Sequence, residues 1–406
     1  CGVGMNQAYS PDRRRWDPTR RVCFGRETKG APMPESVAPS RVRREDLGLP
    51  GSVVSTAYWR VLDDGRIQCD VCPRACRVRE GQRGFCFVRA CQDGAVVLTT
   101  YGRSSGFCID PVEKKPLDHF LPGTPTLSFG TAGCNLGCRF CQNWEVSTSR
   151  KWDTLADTAS PEGIAEAAER WGCRSVAFTY NDPVIFLEYA VDVAAACHER
   201  GIRTVAVTAG YAEPAAGAEL FGAMDAANVD LKAFDDETYR RVCLGRLAPV
   251  LDTLEAITAE GRTWLEITTL LIPGLNDSDT EIEALSRWVA DHLGPSVPLH
   301  FTAFHPDHRM RDRPPTPAST LSRARSIGLA TGLRYVYTGN VHDPEGQTTR
   351  CHACGERLIG RDGYTITAWG LEEAGGCGSC GEPCAGVFEA APGNWGSRRQ
   401  PIAIGR

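Results

Sequence analysis

Between residues 123 and 345 short apolar runs alternate with longer amphipathic ones. The short runs are TLSFG (126–130), SVAFTY (175–180), RTVAVTAG (203–210), ANVDLKAF (227–234), WLEITTLLIPG (264–274), LHFTAFHP (299–306) and RYVYTGN (334–340). Each has the length and β-branched content of a buried strand. Between the early ones lie helix-like stretches, SPEGIAEAAERWG (160–172) and DPVIFLEYAVDVAAACHERG (182–201). The first opens on Ser160 as N-cap with Pro161 at the first helical position, and it closes at Gly172. Strand alternating with helix predicts βαβ units on a parallel sheet. Six or seven strands suggest an α/β fold, an open or partial (β/α) barrel with its site at the C-terminal ends of the strands.

The flanks differ. Residues 1–55 hold Arg, Pro, Ser and Gly with little apolar periodicity and are expected to form an irregular arm, its DRRRWDPTRR run (12–21) a solvated tail. A chain opening on Cys1 fits a processed lipoprotein less well than an alternative start, with Met5 the candidate first residue. Residues 56–122 read as a small cysteine-rich lobe, and 346–406 as a ribbon of two CxxC knuckles followed by a tail. Hydrophobic residues make up 42% and charged ones 23% of 406 residues, which is enough for a sizeable core. A net charge of −5 does not favour nucleic acid held by bulk electrostatics. No apolar run is long enough to predict a membrane span, and no signal peptide is visible.

The 19 cysteines change the picture most. Most fall in three tight groups, and disulfide scaffolds are usually smaller and secreted, so metal ligands and a reducing, cytoplasmic setting are expected. GCNLGCRFCQNW (133–144) places Cys134, Cys138 and Cys141 directly after the first strand of the alternating region, with no fourth ligand nearby. Three thiolates can each hold one iron of a [4Fe–4S] cubane, leaving the fourth iron open to a ligand. A structural zinc site normally has four ligands.

The CxxxCxxC spacing closely resembles the signature of the radical S-adenosylmethionine (SAM) superfamily. The resemblance implies that the amino and carboxylate groups of SAM chelate the open iron. It further implies that an electron from the cluster cleaves the sulfonium, and that the 5′-deoxyadenosyl radical takes hydrogen from a substrate. The segments CDVCPRACRVREGQRGFC (69–86), IDPVEKKPLDHFLPG (109–123), DLKAF (230–234), LIPGLND (271–277), HFTAFHPD (300–307) and YVYTGNV (335–341), with the terminal knuckles, resemble one family in order. It is the radical SAM member of the AmmeMemoRadiSam system, related to pyruvate formate-lyase activating enzymes.

That resemblance implies further site residues. Phe140 matches the aromatic position near the adenine. Asn181 and Asp182, at the end of the second strand, are candidates for the SAM amino group, where relatives often carry Glu in place of Asp182. Asp182 equally suits the N-cap before Pro183. Thr208 ends the third strand; beside it Ala209 stands where relatives often carry Asn. Asp230 and Lys232 end the fourth strand, either meeting the polar end of SAM or pairing with one another. Asn276, with the nearby backbone, is a candidate for adenine or ribose, and Gly274 for the turn. His305 and Asn340 are candidates for substrate contact; His300 and His119 are weaker ones, since a lone His in a strand is more often structural.

Cys69, Cys72, Cys76 and Cys86 form a candidate zinc or auxiliary iron–sulfur site, and so do Cys351, Cys354, Cys377 and Cys380. Cys384 is a spare thiol. Cys91, Cys108, Cys173, Cys197 and Cys243 read as small buried residues. The expected activity is hydrogen abstraction from a small molecule or peptide. Its rivals are a glycyl-radical activating enzyme, a non-catalytic zinc-binding adaptor and a ferredoxin-like carrier. Expected partners are an external electron donor and, by the system's name, AMMECR-type and Memo-type proteins.

Overall fold

The structure is a computed structural model and describes residues 51–150, 155, 157–373 and 375–404. The expected arm, with Cys1, Met5 and the basic run, lies outside these except for 51–55. Nine strands form one sheet. In chain order they are β1 (Phe107–Pro111), β2 (Pro125–Phe129), β3 (Ser175–Phe178), β4 (Arg203–Thr208), β5 (Ala226–Asp230), β6 (Trp264–Leu271), β7 (Leu299–Ala303), β8 (Val336–Gly339) and β9 (Gln400–Ile402). From β2 to β8 each strand pairs in parallel with the next. β1 pairs antiparallel with β2, and β9 with β1, so the sheet runs from β8 to β9 without closing. All seven parallel strands fall on the apolar runs of the sequence.

Six longer helices are α1 (Pro161–Arg170), α2 (Leu187–His198), α3 (Pro214–Gly222), α4 (Ala248–Glu260), α5 (Asp279–Trp288) and α6 (Ala318–Ala330). In α1, Ser160 Oγ accepts from Gly163 N–H at 3.1 Å, which satisfies one of the free amides of the first turn. The α2 region opens more tightly than its pattern suggests: Pro183–Phe186 is a 3₁₀ turn. Asp182 caps that turn, and the α-helix proper begins at Leu187. No helix of the described residues is long and apolar enough to cross a membrane.

The two faces of the sheet bury different material. Phe129, Phe178, Ala206, Val229, Ile267 and Phe301 join helix residues in the main core. Ala177, Val205 and Ala226 pack instead on Val112, Leu117, Phe120 and Leu121. The 112–121 segment therefore plugs the inner side near the N-terminal ends of the strands. A buried carboxylate fastens this plug. Glu266 accepts from the amides of Asp118 (2.9 Å) and His119 (2.8 Å), from Trp264 Nε1 (3.0 Å), and faces His300 Nε2 at 2.7 Å. His119 is buried among Tyr335, Tyr337, Trp264 and Phe388. It therefore packs the plug.

Small antiparallel sheets make up the lobe before β1, and Thr349–Arg350, Arg357–Asp362 and Thr365–Trp369 form a three-stranded ribbon after β8.

Candidate functional site: the cysteine loop at the end of β2

The loop leaving β2 is shaped by two glycines. A Cβ on Gly130 would lie 2.3 Å from the Thr179 carbonyl oxygen and 2.5 Å from Asn181 Oδ1. Gly133 has φ +82°, and a Cβ there would sit 1.9 Å from the Cys86 carbonyl oxygen. Asn181 then clasps the loop: Oδ1 accepts from Thr131 N–H at 3.2 Å, and Nδ2 donates to the Gly133 carbonyl at 2.9 Å. The loop's far side is tied down as Gly137 N–H and Arg139 N–H donate to the carbonyls of Cys243 and Val242, both at 2.9 Å. Arg74 of the N-terminal lobe donates to the carbonyls of Asn135 and Leu244 and lies over the Phe85 ring.

Cys134, Cys138 and Cys141 are thereby gathered so that Cys134 feels the charge of the other two and Cys141 that of Cys138. Every described cysteine is free. Burial and the facing Asp182 carboxylate push the Cys134 thiol well above its ordinary range. A hydrogen bond with Cys243, together with burial, does the same at Cys138. Such thiols ionise only beside compensating positive charge. Lys232 lowers Cys138 and Cys141, and iron supplies the larger compensation, so the trio fits a cluster. Leu136 N–H approaches Cys134 Sγ at 3.5 Å and Ser147 Oγ lies 3.2 Å from Cys141 Sγ, contacts of the kind that tune cluster potential.

Asp182 is buried, and three donors already occupy its carboxylate. Oδ1 accepts from Val184 N–H (3.1 Å) and Thr208 Oγ1 (2.9 Å), and Oδ2 from Ala209 N–H (3.0 Å). It is the cap of the 3₁₀ turn, and Thr208 is its partner. Lys232 Nζ pairs with Asp230 at 2.8 Å and stands 6.0 Å from the centre of the buried Phe140 ring. Burial opposes the lysine's charge, but Asp230 and Cys138 hold its pKa well above the usual value. Asn276 braces the turn after β6, accepting from Ile272 N–H (2.7 Å) and donating to the carbonyls of Lys232 and Leu270, both at 2.9 Å.

The substrate candidates lie on the loops after β7 and β8, and the first of these touches the cysteine loop, Arg309 N–H donating to the Arg139 carbonyl at 3.0 Å and His308 stacking on Trp144. His305 is exposed on the loop after β7, and Asn340, also exposed at φ +58°, donates to the Ala303 carbonyl at 3.1 Å. Cys243 and Glu266 were missed as partners of the site and of the barrel. Glu266 has a signal, a lone acid inside WLEITTLL; Cys243 has none, because its closeness to Cys138 is purely tertiary.

Two further thiol groups assemble. Cys351 and Cys380 Sγ are 3.6 Å apart, Cys354 and Cys377 Sγ 3.7 Å, and all four lie within 4.8 Å of one another. Cys69, Cys72, Cys76 and Cys86 line one small cavity of about 20 Å³ with Arg89, whose guanidinium pairs with Glu188 at 2.7 Å.

Residues 129–285 match the Radical SAM superfamily. The chain is 39% identical over 326 residues to an uncharacterized protein of Methanocaldococcus jannaschii, covering 80% of this chain and 97% of that one. The benzylsuccinate synthase activating enzyme of Thauera aromatica is 29% identical over 131 residues, 32% of this chain and 39% of that enzyme. The pyruvate formate-lyase-activating enzyme of Clostridium pasteurianum is 27% identical over 170 residues, 41% and 69% respectively. A radical SAM methyltransferase structure from Sphaerobacter thermophilus superposes with TM-score 0.41 at 16% identity, over 75% of this chain and 81% of that one. The chain belongs to the radical SAM superfamily, whose members are enzymes using a [4Fe–4S] cluster and SAM.

Proposed function

We propose that this enzyme abstracts hydrogen from a discrete small molecule or peptide, as the radical SAM member of an AmmeMemoRadiSam-type system. When bound, the cluster and SAM supply reductive cleavage of the sulfonium and the hydrogen-abstracting species. Cys134, Cys138 and Cys141 would hold the cluster, and the Asp230–Lys232 pair with Phe140 would help hold SAM. The observation that carries the choice of a discrete substrate is the seating of the N-terminal lobe on the cysteine loop, through the Gly133–Cys86 approach and Arg74. That cover narrows the access a folded partner's loop would need, and it helps exclude water.

The similarity to two activating enzymes favours a second reading, in which the target is a glycyl radical on a partner protein. An external electron donor is required in both, and AMMECR-type and Memo-type proteins are proposed partners in a reducing cytoplasm. For the C-terminal group we propose zinc. Four sulfurs around one tetrahedral ion at about 2.3 Å stand roughly 3.8 Å apart, close to the spacing here, whereas cubane ligands each bind a separate iron. Zinc or an auxiliary cluster both remain proposals for Cys69, Cys72, Cys76 and Cys86.

The test is anaerobic incubation of reconstituted protein with SAM and dithionite, assaying 5′-deoxyadenosine. Wild type should produce it and Cys138→Ala should not; equal yields would overturn the assignment.

A further inference from the structure

The four thiols of the N-terminal lobe converge from separate stretches. Cys69 ends the strand Ile67–Cys69, Cys72 and Cys76 stand on the turn after it, and Cys86 follows the strand Arg77–Val78. They wall one cavity with Val71, Ile185 and Arg89. About 20 Å³ of it is wide enough for the centre of a water molecule, and the space between the surrounding atoms, its opening included, is about 330 Å³. Two observations set these thiols apart from ordinary buried cysteines. First, amides two residues on, those of Val71, Arg74 and Val88, donate to the sulfurs of Cys69, Cys72 and Cys86. Phe85 N–H approaches Cys76 Sγ at 3.4 Å. A thiol sulfur accepts weakly and an ionised one strongly, so four such contacts suit metal-bound thiolates. The amides of Leu136 and Asn143 meet Cys134 and Cys141 in the same way. Second, Ala75 (φ +46°) and Phe87 (φ +73°) hold left-handed backbone beside Cys76 and Cys86. That conformation is costly for a residue with a side chain and persists where its surroundings fix it. Ligation of the adjacent sulfurs supplies the fixing.

The spacing of the sulfurs chooses the metal. Among the described residues, the C-terminal four are the only group in which three or more Cys, His or acidic ligand atoms all lie within 4.8 Å of one another. A single tetrahedral ion demands that closeness. No three of Cys69, Cys72, Cys76 and Cys86 reach it, and neither do Cys134, Cys138 and Cys141. The loop trio belongs to a superfamily whose cluster is a cubane, and cubane thiolates sit on separate irons, hence farther apart. The lobe's four thiols, gathered on one cavity yet more widely set than one ion allows, share the spacing of the trio.

We propose that Cys69, Cys72, Cys76 and Cys86 hold a second [4Fe–4S] cluster, which has a protein ligand for every iron and therefore carries electrons and binds no substrate. Its position suits that role. The Cys86 carbonyl lies against Gly133, the neighbour of Cys134, and Arg74, on the cavity wall, donates to the carbonyls of Asn135 and Leu244 at the cysteine loop. The two sites are thus in direct backbone contact. The lobe's cluster takes one electron from the external one-electron donor and gives one to the cluster of the loop. No bond is made or broken at the lobe, and no proton moves. That the electron goes on to SAM rests on the proposed reaction; the presence of the second cluster does not.

The test uses the full chain with Cys134, Cys138 and Cys141 changed to alanine and Cys380 to serine, so that the lobe alone keeps a complete thiol set. After anaerobic reconstitution this variant should hold about four irons and four sulfides per chain. Dithionite should reduce it to a species with an electron paramagnetic resonance signal that added SAM leaves unchanged. Zinc in place of iron, no bound metal in the folded variant, a cluster that dithionite does not reduce, or a signal that SAM alters overturns the proposal. If the fourfold variant does not fold, Cys380→Ser alone decides: about eight irons per chain are expected, and about four would overturn the proposal. Eight irons without 5′-deoxyadenosine formation would instead count against the proposed reaction and leave the lobe's cluster standing.

Discussion

Asp182 holds three donors, the amides of Val184 and Ala209 and the Thr208 hydroxyl. Asp182→Ala should therefore destabilise the protein by about 3 kcal/mol, read from urea unfolding. An effect below about 1 kcal/mol would show that the cap is dispensable. Glu266 offers a sharper case. Burial alone would raise its pKa, but the hydrogen bond from His300, with His119 and Trp264, brings it below the usual value. A depressed folded pKa contributes stability above the unfolded value, about 4.3, and loses it as pH falls through the folded one. Glu266→Gln should cost about 3–5 kcal/mol near neutrality, since an amide oxygen replaces two carboxylate oxygens among four donors. The gap from wild type should shrink in unfolding experiments run below about pH 4. A gap independent of pH would contradict this account of the carboxylate.

At the scale of elements, the cysteine loop depends on close backbone approach. Gly133→Ala would drive a methyl into the Cys86 carbonyl at a positive φ. It should abolish cluster incorporation, measured by visible absorbance after reconstitution, while the circular dichroism of the sheet persists. Normal absorbance in that variant would mean the loop and lobe are not seated as described. The parallel strands were legible because a strand buried on both faces is an unbroken apolar run, as in SVAFTY. The triplet was legible because its ligands are local. The pairing of Gln400–Ile402 with β1 was not, since nothing in QPI specifies a partner nearly three hundred residues earlier. Nor were the duties of Asn181 and Asn276, whose amides brace loops from distant elements. An asparagine at a strand end looks the same whether it holds backbone or ligand.

For the whole molecule, lobes on both sides of the barrel in the chain brace different parts of it. The N-terminal lobe seats the cysteine loop, and the ribbon brings Arg361 to the plug. If the C-terminal thiols hold zinc, Cys380→Ser should lose about one zinc per chain by elemental analysis and keep its iron. Loss of iron instead would make that group a cluster site. The central claim is that Cys134, Cys138 and Cys141 carry a cubane of their own, whatever the other thiols bind. Iron counted per chain in anaerobically reconstituted wild type, against a variant with all three changed to alanine, tests it most directly. The account predicts a deficit of about four irons in the variant; equal iron in the two proteins would contradict it.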